Sequence, residues 1–112
     1  IPYGDDTMNL TYVEEAARMI VMAVDAPTTA TRVFNTSGEV ALVREVVGCV
    51  KEILPGADIR VEPGIYMGTG VIPLYDTSRL EDEVGFRPSI DLKKGLQLSI
   101  NTVRRWHGLP PV

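Results

Sequence analysis

One stretch carries the residue types of a ligand site, Pro63 to Tyr75, with three glycines set near two tyrosines and no helical period. Glycine lets a backbone approach a ligand, and tyrosine offers a flat apolar face with a polar tip. The pattern reads either as the wall of a ligand cleft or as a surface loop whose tyrosines cover the core. Other reactive constellations are missing. One His and one Cys cannot build a structural zinc site, so no metal is expected. His107 falls in the last turn of a helix, as a terminal or solvated side chain. Cys49 has apolar or small helical neighbours and no adjacent base, which makes it a small hydrophobe rather than a reactive thiol. Glu14 and Glu15 are adjacent, so they point to different sides of a helix and cannot share a proton. Gly68-x-Gly70 follows no strand-to-helix phosphate turn, and no Ser stands in a nucleophile elbow. On these residues the chain has no catalytic set and no cofactor site of its own.

Composition narrows the partners. The 112 residues are 45% hydrophobic and 23% charged, a one-domain globular make-up that places residues 1–112 in a single domain. The net charge of -4, with Lys and Arg scattered, excludes nucleic acid. Arg104-Arg105 complements a helix dipole. No apolar run approaches the ~20 residues of a membrane span, and the lone Cys49 excludes an internal disulfide, so the cytoplasm is the expected location. The sequence opens at Ile1 without Met, in a turn-like Pro2-Tyr3-Gly4-Asp5-Asp6, and a preceding segment is expected.

The elements that would position a site centre on Arg32 to Gly56. Val33-Phe34 predicts a short strand, stopped by the turn cluster Asn35-Thr36-Ser37-Gly38. Val43, Val46, Val47, Val50, Ile53 and Leu54 recur at helical spacing with Arg44, Glu45, Lys51 and Glu52 opposite, a helix with one buried face. Pro55 ends it and Gly56 is placed to take a left-handed turn. Asp58 to Glu62 alternates as a half-buried strand, completing a βαβ unit of the parallel kind.

Around this unit, residues 1 to 10 read as loop. Thr11 with Glu14 predicts a capping box opening a helix whose face is Val13, Ala16, Ala17, Ile20 and Val24, apolar nearly all round and stopped by Pro27. Ser78 with Glu81 predicts a second box, with Leu80 and Val84 inward, Gly85 as a left-handed stop and Phe86 folding back. Asp91 caps a last helix striped by Leu92, Leu96, Ile100 and Val103. The fold class is α/β, α+β-like in isolation, with about four helices and two to three short strands.

The blocks Leu10-Thr11-Tyr12-Val13-Glu14-Glu15-Ala16-Ala17, Val33 to Gly38, Ile53-Leu54-Pro55-Gly56, Tyr75-Asp76-Thr77-Ser78-Arg79 and Val84 to Pro88, in this order, closely resemble the C-terminal part of the extended short-chain dehydrogenase/reductases. These are the NAD-dependent epimerase/dehydratases typified by nucleotide-sugar epimerases. The resemblance covers nearly the whole chain. It implies that Glu15 stands where the family's H/Y-V-x-D element has Asp, and that the Val33 strand joins the edge of a large Rossmann sheet. The family's glycine-rich cofactor turn, catalytic Ser or Thr and Y-x-x-x-K pair all lie upstream of this sequence, and no tyrosine here has a Lys four residues on.

The resemblance further implies a substrate-side role without catalysis by the chain itself, with Tyr66, Gly68 and Thr69 as substrate contacts and NAD(P) as the cofactor of a longer parent. Two arginines that clamp the diphosphate in nucleotide-sugar members are replaced, by Met8 and within Tyr66-Met67-Gly68-Thr69. Their loss would cost a nucleotide diphosphate about 3 kcal/mol, which favours a smaller or less anionic small molecule. The alternative is a free-standing small-ligand-binding or self-assembling module derived from that family. The implied partner is then either the missing Rossmann half or a second copy.

Overall fold

A computed structural model describes residues 1–36, 38–66 and 75–112. Among these residues two short strands and four helices follow one another: β1 (Thr7–Leu10), α1 (Val13–Asp25), β2 (Glu39–Leu42), α2 (Val43–Ile53), one π-helical turn at Leu80–Val84, and α3 (Leu92–Trp106). The class is mixed α/β, with the expected inventory of helices and strands and a β-α-β succession at its start.

The strands come from other residues than the alternation pattern selects. β1 lies inside the stretch read as loop and pairs antiparallel with β2, Thr7 opposite Leu42 and Leu10 opposite Glu39. Val33-Phe34 is not a strand: Val33 is exposed and Phe34 turns into the core. A two-residue apolar run needs a neighbouring ladder to become a strand, and the described residues supply none beside it. Asp58 to Glu62 keeps the expected alternation, with Ile59 and Val61 half-buried and the charged residues out. It is extended without counting as a strand, and its backbone bonds run to the chain start: Ile1 N donates to Arg60 O, Glu62 N to Ile1 O and Gly4 N to Glu62 O, at 2.7, 3.0 and 2.7 Å.

The helices follow the sequence more closely. On α2 and its cap Leu54 all six expected apolar positions are buried or half-buried, Val47 the most, while Arg44, Glu45, Lys51 and Glu52 are exposed. The helix packs against β2 and α3. It ends at Leu54 before Pro55, but Gly56 does not adopt the left-handed conformation; the chain turns instead through Ala57 N donating to Leu54 O. Asp91 caps α3 by accepting from Lys94 N at 2.7 Å, and Gly85 is left-handed at φ 76°. Two predicted capping boxes are absent. Tyr12, not Thr11, precedes α1 and makes no side-chain cap, and Asp76 rather than Ser78 accepts at the start of the π turn, from Ser78 N at 2.9 Å.

Met19, Leu80 and Phe86 form the core, with Ala16, Met22, Phe34 and Val84 against them. It is small. The molecule is a slab of 49 × 39 × 17 Å with a radius of gyration of 16.6 Å, where a globular chain of this length has about 13 Å. Beyond α3 the residues after Gly108 fold back along the helix, where Asn101 donates to Val112 O at 3.0 Å and accepts from Val112 N at 2.8 Å.

Candidate functional site

Tyr66, the described member of the expected contact set, closes a corner at the start of the glycine-rich stretch. Gly68 and Thr69 lie outside the described residues. Asp5 and Asp6 build the corner by turning the chain back, Asp6 N donating to Tyr3 O at 3.0 Å. Asp6 then accepts from Tyr66 N at 3.0 Å, and Asp5 accepts from Gly64 N at 2.8 Å while pairing with Arg44 of α2. The turn forces Tyr3 to φ 61°, a left-handed value that costs a residue with a side chain about 1 kcal/mol. Its ring meets Tyr66 at 5.3 Å between centroids with a 58° tilt, an edge-to-face type of contact, and both rings stay open to solvent. Gly4 is tied into the same corner, since a Cβ there would stand 2.9 Å from Glu62 O.

At the other end of the undescribed stretch, Val33, Asn35, Asp76 and Arg79 line a polar hollow of about 280 Å³. Asn35 donates to Asp76 O at 3.2 Å. Hydrogen bonds from the Ser78 amide and hydroxyl hold the Asp76 carboxyl below the usual carboxylate range. Asp76 is thus an ionised acceptor at neutral pH, with Arg79 as the cation beside it.

A cleft of about 410 Å³ was not marked by any spacing in the sequence. It lies where the start of α1 and of β2 meet the segment from Phe86 to Asp91, and its floor is Glu15. This side chain is only 5% exposed and accepts three hydrogen bonds, from Ser89 N at 3.0 Å, Ser89 Oγ at 2.8 Å and Arg18 Nη2 at 2.8 Å. Burial pushes its carboxyl up, yet the Ser89 hydroxyl and amide, then Arg18, outweigh burial and bring it below the ordinary glutamate value. Arg18 also donates to Arg87 O at 2.7 Å and lies over the Phe86 ring at 4.5 Å. The position where the family resemblance sets an acid therefore locks α1 to the Phe86–Ser89 segment, with three of its roughly four acceptor sites taken. Glu39 and Asp91, also in the cleft wall, cap α3 by accepting from Leu92 N and Lys94 N. Only long-range pairing reveals this lock, Glu15 and Ser89 being 74 residues apart.

Among the described residues no group of three His, Cys, Asp or Glu is placed to hold a metal ion, and no helix is long and apolar enough to cross a membrane. Cys49 is half-buried on α2, and His107 is an exposed C-terminal cap of α3.

Neither a protein-family model nor a curated protein sequence matches the chain. Solved structures do. RMD from Pseudomonas aeruginosa complexed with NADPH superposes with a TM-score of 0.71 at 16% identity, over 86% of this chain and 32% of that one. L-threonine 3-dehydrogenase from Trypanosoma brucei superposes with a TM-score of 0.76 at 18% identity, over 100% of this chain and 36% of that one. The chain spans about a third of the length of each. At these identities the likeness is one of fold: the chain folds like a part of each of these two structures.

Proposed function

We propose that this chain is the substrate-side, C-terminal part of an NAD(P)-dependent epimerase, dehydratase or reductase, and that it is not catalytic by itself. The observation that carries the reading is the fold likeness over a third of two oxidoreductase-type chains, one of them bound to NADPH. The sequence supports it from the other side, since it contains neither a glycine-rich cofactor turn nor a Y-x-x-x-K pair. In the parent, hydride would pass between the cofactor and a carbinol carbon, and this part would close over the substrate through Tyr66, Gly68 and Thr69. Tyr66 suits that role because its ring is open to solvent beside Tyr3 and leads directly into the glycine-rich stretch. With Met8 and the Tyr66–Thr69 segment in place of two arginines, the substrate is a small molecule less anionic than a nucleotide diphosphate, and the location is the cytoplasm.

Calorimetric titration of the 112-residue chain with NAD and NADP tests the first half of the reading. No heat is expected, and tight binding of either overturns it. Sequencing upstream of Ile1 tests the second half: a glycine-rich turn after a first strand together with a Y-x-x-x-K pair is expected. A second reading, a free-standing module derived from the same fold, is favoured by the apolar face that α1 leaves open.

A further inference from the structure

We infer that Gln97, Asn101 and Arg104 on α3 form a binding surface for an extended, proline-bearing peptide segment, which the chain's own residues 109–112 fill in this structure and a separate segment can fill in their place.

The three side chains stand at i, i+4 and i+7, so they make one stripe along α3, and all three are half-buried. The end of the helix returns the chain to this stripe. Gly108 takes the left-handed conformation at φ 67° and donates to Arg105 O at 3.1 Å, while Leu109 N donates to Arg104 O at 2.8 Å, which is the Schellman pattern. Pro110 and Pro111 then favour an extended backbone and bring no N–H that needs a partner.

What the stripe reads is main chain. Asn101 brackets a single residue: its Nδ2 donates to Val112 O at 3.0 Å and its Oδ1 accepts from Val112 N at 2.8 Å. A carboxamide carries a donor and an acceptor on one planar group, which is what closing both bonds on one residue requires. Gln97 Nε2, one turn earlier, donates to the same Val112 O at 3.0 Å, and Arg104 Nε donates to Pro110 O at 2.5 Å. The side chains stay outside, Leu109 52% and Val112 39% exposed. The surface therefore selects an extended backbone with an N–H two residues after a proline carbonyl, and is tolerant of the side chains around it. Four solvent-exposed hydrogen bonds support a dissociation constant on the order of 1 mM, within reach of the effective concentration that tethering gives the tail, so the tail is displaceable.

A titration followed by NMR tests this. A chain ending at Leu109 keeps the Schellman bond and lacks residues 110–112. Acetyl-Leu-Pro-Pro-Val-amide added to it should move the side-chain amide signals of Gln97 and Asn101 toward their positions in the intact chain, with half-saturation on the order of 1 mM. The same peptide methylated on the valine nitrogen should bind about tenfold more weakly, because the bracket loses its donor. Asn101→Ala should abolish the response, and Lys93→Ala, at an exposed position of the same helix, should leave it intact. In the intact chain, Asn101→Ala should speed exchange of the Val112 amide about tenfold with an unaltered far-UV spectrum, which reads the bracket without any truncation. Signals that stay fixed up to about 20 mM peptide, far above the expected constant, overturn the inference. A response that survives Asn101→Ala, or Val112 exchange indifferent to it, overturns it equally.

Discussion

Two carboxylates do the same task in different surroundings. Asp5 and Glu15 each accept from the backbone amide of a distant segment, Gly64 and Ser89, and each pairs with an arginine of a helix. Glu15 does so at 5% exposure under Phe86 and the Ser89 segment. Asp5 does so with 30% of its side chain open and its arginine more than half exposed. Glu15 accepts one bond more, from Ser89 Oγ, and beyond that the two differ in the surrounding medium. Water competes for Asp5 and screens its partner, whereas the Glu15 carboxylate is itself buried and holds the Ser89 amide and hydroxyl from there.

The largest effect should come from Glu15→Ala, a loss on the order of 2–4 kcal/mol in urea denaturation, because the Ser89 amide and hydroxyl then lose their acceptor. A loss no greater than that of Asp5→Ala would break the comparison. Next is the pH dependence. The folded-state carboxyl of Glu15 titrates below its ordinary value, so its contribution is complete above the usual glutamate range and disappears as pH falls through the lower folded value. Glu15→Gln should therefore flatten the acid limb of a stability profile, and an unchanged limb would assign it to other groups. Asp5→Ala should cost about 1 kcal/mol, and the cost should shrink with added salt. Last, Glu52→Gln should leave the melting temperature unchanged within error. Its 2.6 Å pair with Lys93 is exposed on both sides.

Helices and their ends were legible in the sequence where the signal is local. The six inward positions of α2, the Asp91 cap and the Gly85-Phe86 stop each depend on residues within about two turns. β1 and β2 were not, because Thr7–Leu10 becomes a strand only by meeting Glu39–Leu42 some thirty residues on. Thr11 shows a local rule losing to packing. It lies against Gly38, where a Cβ would come 1.7 Å from Leu10 O, so its place is fixed by the approach of two backbones. At the candidate site Tyr66 was legible as a ring beside glycines. Its neighbour Tyr3 was not, since nothing near Tyr3 in sequence announces a partner 63 residues away or a left-handed backbone. The Glu15–Ser89 lock was invisible for the same reason.

The thinness of the slab reaches beyond geometry. Five apolar side chains are buried among the described residues, none of them below 2% exposure, so unfolding one chain brings little new apolar surface into water. Its heat-capacity increment should then fall below the ~1.5 kcal/mol/K usual for a chain of about this length, with a broad melting transition.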